Sequence, residues 1–232
     1  VEFYVDSTIQ FFLNGLGNLS ALADGQDIFD PIHYGPFQPN NDSVNTSYLN
    51  GWHVIYIARD RSTYSTTLLD FVRFFSNGQI QQSSNNVDSL YYKHEWSYSA
   101  LDTTVSHSNY DGAVDFAIIG LQTTQATFAG SNDLTINTKF ASVDSTVWRD
   151  FTISADLSNF VVKKTGSGWA QGCPSSGTIS ATVTMTYTKD TGTPVTTTWT
   201  FDLSFTNGTM TATAQLGNTT WDYTNNFCTA PN

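Results

Sequence analysis

From Thr178 to Tyr187 the apolar residues take every second position: Ile179, Ala181, Val183, Met185 and Tyr187. Ser180, Thr182, Thr184 and Thr186 stand between them. A period of two places one set on each face of a strand. Trp199, Phe201, Leu203 and Phe205 repeat the pattern, with Thr198, Thr200, Asp202 and Ser204 on the other face. Asn207-Gly208 then predicts a tight turn, because both residues tolerate positive φ. Met210, Ala212, Ala214 and Leu216 return on one face. The stretch predicts an antiparallel meander with one dry face and one Thr-rich wet face.

Upstream, the same alternation is less regular. Phe3 and Val5 alternate, and so do Ile9 and Phe11. This predicts an N-terminal strand that must bury its apolar side chains against its own sheet or a second subunit. Residues 24–50 read as a long polar loop with Pro31, Pro36 and Pro39, closed by Asn50-Gly51. Trp52–Ala58 predicts a strand. Thr66–Phe75 is ambiguous: Leu68, Leu69, Val72 and Phe75 fit a helix, whereas Phe71, Arg73 and Phe75 fit a strand. Asn77-Gly78 behind it favours a hairpin. Asp88–Tyr98 predicts a strand with Leu90, Tyr92, His94 and Trp96 on one face and Tyr91, Lys93, Glu95 and Ser97 on the other. Ala113–Leu121, Thr123–Ala129, Leu134–Phe140 and Phe151–Leu157 predict further strands, and Phe160–Lys164 extends the last sheet. The fold class is all-β, an antiparallel sandwich or irregular barrel with a C-terminal meander. Gly166, Gly168 and Gly172 form a hinge. A single domain over 1–232 is the preferred division, and domains at 1–165 and 173–232 are the alternative.

Composition narrows the function classes. Hydrophobic content of 39% and aromatic content of 14% argue against disorder. Charged residues make up only 12%, about half the usual share, and Ser, Thr, Asn and Gln replace them. The net charge of −11 comes from 18 Asp and 2 Glu against 9 Lys plus Arg. With no basic cluster beyond Lys163-Lys164, nucleic acid is an unsuitable partner. No apolar run is long enough for a transmembrane helix. The first residue is Val1 rather than Met, which fits removal of a leader. Cys173 and Cys228, the only cysteines, bracket the meander. They predict a disulfide and an oxidising compartment; two separate buried thiols are the other reading. Asn18, Asn41, Asn45, Asn207 and Asn218 head Asn-x-Ser/Thr sequons and are candidate glycosylation sites.

Catalytic signatures are sparse. There is no Gly-x-Ser-x-Gly elbow, and His94-Glu95 lacks the second His of a zinc-protease helix. His33, His53, His94 and His107 are scattered, and each reads as structural or superficial. A glycosidase needs two facing carboxylates, but 18 Asp make candidate pairs inevitable. Glu95, near Tyr91 and Trp96, has the most site-like surroundings; a solvated Glu beside Lys93 is the plainer reading. Asp24, Asp27 and Asp30 offer oxygen ligands for calcium without the EF-hand spacing, and a solvated acidic loop is the plainer reading. No cofactor is expected. Of the 6 Trp, Trp148, Trp169 and Trp221 fall outside or at the edge of the clean alternation and are candidates for stacking sugar rings.

Cys173-Pro174-Ser175-Ser176-Gly177, the Thr-rich strands, Phe205-x-Asn207-Gly208-Thr209, Thr220-Trp221-x-Tyr223 and Cys228 together resemble uncharacterised secreted or lipid-anchored all-β bacterial surface proteins. The resemblance covers about a quarter of the chain and implies an extracellular or cell-surface location, with no functional residues attached. The expected function is therefore non-enzymatic: self-association, or docking with another surface protein, in a larger assembly such as a filament or sheath. The N-terminal residues Phe3, Val5, Ile9 and Phe11 are the candidate assembly strand. A carbohydrate-binding module using exposed Trp and Tyr is the alternative, followed by an acidic-dyad glycoside hydrolase.

Overall fold

The computed structural model describes residues 42–101, 104, 106–165 and 168–226. These form twelve strands: β1 (Asp42–Leu49), β2 (Trp52–Asp60), β3 (Tyr64–Ser76), β4 (Gln79–Gln81), β5 (Ser89–Ala100), β6 (His107–Ile119), β7 (Gln125–Ala141), β8 (Thr146–Thr165), β9 (Gly168–Lys189), β10 (Val195–Thr206), β11 (Thr209–Leu216) and β12 (Thr219–Asn226). All belong to one antiparallel sheet, in which each strand follows its sequence neighbour except that short β4 pairs β3 and lies off the path. No helix occurs among the described residues.

Local chemistry explains the connections. Asn50-Gly51, Asn77-Gly78 and Asn207-Gly208 all have positive φ at both residues, the backbone of a type I′ turn, whose twist matches that of the flanking strands. Asn50-Gly51 does not close a loop. It turns β1 into β2, so residues 42–49 of the expected polar loop are a strand. Asp42 fixes the start of that strand: its buried carboxylate lies 2.6 Å from Arg61 Nη1 and 3.8 Å from Arg59 Nε. Thr66–Phe75 belongs wholly to β3, where sheet pairing on both sides overrides the helix-like spacing of its leucines.

The C-terminal meander follows the alternation. Ile179, Ala181, Val183, Phe201, Leu203, Phe205, Met210, Ala212 and Ala214 are buried. Register pairs large with small: Phe201 lies between Ala181 and Ala214, and Phe205 between Gly177 and Met210. Met185, Tyr187 and Leu216, further along the same strands, are only half-buried. The opposite face is a lattice of hydroxyls and acids. Thr184 meets Thr198 at 3.1 Å, Thr186 meets Thr196 at 2.9 Å, Ser180 donates to Asp202 at 2.9 Å and Thr213 to Asp222 at 2.8 Å.

Two expected pairs of short strands are long single strands. Thr123–Ala129, apart from its first two residues, and Leu134–Phe140 fall within the stretch that forms β7, and Phe151–Leu157 continues through Phe160 as β8. In β8 the buried residues change parity, from Ala155 and Leu157 to Phe160 and Val162. Against β9, Ser158 pairs Thr178 but Val161 pairs Ser176, so β8 carries one residue too many. Asn159, with φ 48°, lies in this bulge, which bends the strand and returns its side chains to the core face. The neighbouring backbone comes close: a Cβ on Gly177 would sit 2.5 Å from Phe160 Cα. Phe160, fully buried, meets Phe205 edge to face at a centroid distance of 4.9 Å. One core cluster runs along this face from Val72 to Ala214.

A carboxylate holds the β3–β4 turn. Asp88 Oδ2 accepts from the Asn77 amide at 2.6 Å and Oδ1 from the Ser89 hydroxyl at 2.7 Å. The backbone hydrogen bond, then the hydroxyl, lower its pKa below 3.8. A depressed folded pKa gives stability that is present above 3.8 and lost as pH falls through the folded value. Asp88→Asn should therefore flatten the acid limb of a urea-midpoint-versus-pH profile by lowering the neutral plateau toward the acid value. An identical acid limb in the variant would refute this role.

Candidate functional site

The chemistry collects on the core face of β5. Leu90, Tyr92, His94, Trp96 and Tyr98 share that face by alternation. The Tyr92 and His94 rings stack at 6.1 Å, and His94 and Trp96 at 5.0 Å. Tyr98 continues the ladder, stacked on Tyr64 at 5.2 Å and edge-on to Tyr110 at 5.7 Å. Toward Tyr98 the face opens. Tyr110 is exposed, and Ile136, Phe151 and Trp199 are half-buried. Trp96 fits because its partner in β6 is Gly112: a Cβ there would overlap the indole.

Behind the ladder lies a buried acid. Asp70, 1% exposed, pairs in register with His94. One of its oxygens accepts from Tyr92 Oη at 2.8 Å and lies 2.6 Å from His94 Nδ1. An ionised carboxylate accepts hydrogen bonds, and Nδ1 is the ring nitrogen that faces it. The His94 side chain is 21% exposed, so the group sits beneath the open end of the face.

Register extends this row across the sheet. Asp70 pairs His94, which pairs Val114; Val114 pairs Asn132, Asn132 pairs Ala155, and Ala155 pairs Ala181. Asn132 is 3% exposed, and its side-chain oxygen is buried with no hydrogen-bond partner.

The two ends of the sheet are also distinctive. β1 and β12 end the strand order, and each offers an eight-residue edge unpaired among the described residues. Seven of the eight β1 residues are exposed, Val44 and Tyr48 among them. Neither strand contains Lys, Pro or a register shift, three of the devices that discourage edge pairing.

The sequence-derived candidates are dispersed. Glu95 is exposed on the face opposite His94, in register with Leu69 and Ala113. Trp148 is 40% exposed on that outer face, with Lys139 Nζ 5.2 Å from its ring centre. Trp221 packs on the core face beside Trp199, at 5.3 Å. The outer face also carries Trp52 beneath Arg73 at 4.1 Å and edge-on to Phe71 and Tyr91. Asn45 is exposed in β1, and Asn207 and Asn218 are exposed in hairpin turns. Cys173 lies in β9 opposite Lys163. Cys228, Asn18, Asn41, Asp24, Asp27, Asp30, Phe3, Val5, Ile9 and Phe11 lie outside the described residues, and with them the 173–228 disulfide, the calcium loop and the N-terminal assembly strand. Among the described residues, no group of three or more His, Cys, Asp or Glu is placed to hold a metal ion, and no helix is long and apolar enough to cross a membrane. Sequence reasoning passed over Asp70 and Asn132, the two polar residues that the sheet buries beside His94. No protein-family model, curated protein or solved structure matches this chain.

Proposed function

We propose that this chain is a non-catalytic extracellular or cell-surface interaction protein that associates with copies of itself, or docks in a larger surface assembly, through its sheet edges. The observation that carries this reading is the pair of plain edges at β1 and β12. Two-residue turns close on hydrogen-bonded pairs, here Leu49 with Trp52 and Leu216 with Thr219. Backbone groups then alternate between partner and edge. The N–H groups of Val44, Thr46 and Tyr48, and those of Thr220, Asp222 and Thr224, therefore point away from the sheet. An added strand satisfies such groups with main-chain hydrogen bonds. Joining the β12 edge of one copy to the β1 edge of the next is a head-to-tail contact, which builds rings or filaments.

Proline substitution tests this directly. Thr46→Pro and Thr224→Pro each remove an outward N–H without removing a hydrogen bond to β2 or β11. Sedimentation velocity over a concentration series should show association of the parent chain and a monomer for the double variant, with melting temperatures close together. A parent chain that stays monomeric at high concentration, or a double variant that associates as strongly, would overturn the reading.

A further inference from the structure

We propose that the partner of the β1 edge is the same edge of a second copy, joined antiparallel about a two-fold axis at Thr46. This rests on the edge-association reading above and fixes which edge joins and in what register. Val44, Thr46 and Tyr48 turn their backbone groups away from β2, because Leu49 and Trp52 close the hairpin as a hydrogen-bonded pair. In an antiparallel join, residues of this phase must face one another. With Thr46 on the axis, Thr46 meets Thr46 and Val44 meets Tyr48 on either side of it. On the outer face Asn45 meets Ser47, and Ser43 meets Leu49. Thr with Thr and aromatic with β-branched are stabilising cross-strand pairs. A shift by one step either way loses them. One shift sets Tyr48 against Asp42, a buried carboxylate already held by Arg59 and Arg61. The other sets Val44 against Asn50, a turn residue with φ 51°.

Burial and charge favour this join over the others that the edges allow. Val44, Tyr48 and Leu49 are exposed apolar side chains on β1, and the join sets each against a residue of the second copy. β12 has no exposed large apolar side chain: its Trp221 packs beside Trp199, and its Tyr223 packs on the core. Between Ser43 and Leu49, β1 carries no charged residue. β12 carries Asp222, exposed on the outer face in one row with Thr213 and Asp202. A join of β12 to β12 brings two copies of this acid onto one face of adjacent strands, in a chain of net charge −11. A join of β12 to β1 has a different weakness. Ten pairings, all antiparallel, lead from β1 to β12, so the two strands run in the same direction. Copies with their core faces on one side then pair β12 and β1 in parallel, the slightly less stable ladder. The two-fold contact uses one patch on both copies and closes on itself as a dimer.

The experiment is a charge swap at Thr46, whose side chain is exposed, in the full chain, read by sedimentation velocity. Thr46→Lys alone and Thr46→Asp alone should each associate about tenfold more weakly than the parent, because like charges then meet at the axis. An equal mixture of the two, with one fluorescently labelled, should form a one-to-one heterodimer more strongly than either variant associates alone. Both variants should melt close to the parent. The single proline variants extend the test: Thr46→Pro should remove the dimer, and Thr224→Pro should leave it intact. Three results would overturn the β1–β1 join while leaving association through the edges standing: undiminished association of both charge variants, a mixture no stronger than either alone, or equal loss in Thr46→Pro and Thr224→Pro. A parent chain that stays monomeric at high concentration would overturn both readings.

Discussion

Deleting Asn159 should abolish cooperative folding or reduce stability by several kcal/mol, although the residue is exposed and its loss removes no buried side chain. It lies within the bulge that brings Phe160 and Val162, 0% and 5% exposed, onto the same face as Ala155 and Leu157. Without the extra residue the alternation of β8 runs straight through, and one of the two pairs must face water. Exposing two such side chains costs roughly 3–6 kcal/mol, against a total of about 5–15 kcal/mol for a typical domain. Asn159→Gly is the control. It preserves residue count and suits φ 48°, so its effect should stay within about 1 kcal/mol. Urea unfolding of the two variants decides the matter. A deletion variant as stable as the glycine variant would mean that the bulge does not set the phase of the strand.

Asp70→Ala should cost about 3–5 kcal/mol, the range found when one partner of a buried charged network is removed. The loss comes mainly from Tyr92 Oη and His94 Nδ1, both left without the oxygen they share. Replacing the three together, Asp70→Leu with Tyr92→Phe and His94→Phe, should recover part of the deficit, because the Tyr92 and His94 groups that share the Asp70 oxygen are then gone too. Denaturant midpoints for the single and triple variants measure both effects. If the triple variant were as unstable as Asp70→Ala, packing rather than hydrogen bonding would be the source of the loss.

The meander was legible because its dry face obeys one rule from Ile179 to Leu216 and its Asn-Gly turn has one low-energy backbone. Phe160 shows where such reading stops. Its parity conflicts with that of Leu157, and alternation alone interprets the conflict as the end of one strand rather than a bulge within it. The leucines of β3 fit two periods at once, and only pairing with β2 and β5 decides between them. Asp70 was invisible for a different reason. It is one of 18 Asp, and what distinguishes it is a partner 24 positions away on another strand. Register is a property of two strands together. Asn132 carried still less signal, because its significance is the absence of any donor beside it. Glu95 attracted attention through Trp96, its neighbour in the chain, yet adjacent residues of a strand face opposite ways.

The order of the strands also bears on how this chain is made. Apart from β4, every strand lies beside its sequence neighbours, and the most distant paired residues, Val147 and Lys189, are only 42 positions apart. During synthesis, each strand leaving the ribosome finds its partner already in place, as the strand made just before it. A half-translated chain is thus a narrower version of the final sheet, with the newest strand as its open border. Among the described residues no early strand waits for a late one to close the sheet, and the loop to be closed at each step is short. Growth of this kind has no built-in endpoint. Each intermediate displays a fresh strand to its surroundings, and β12 is the last such strand among the described residues.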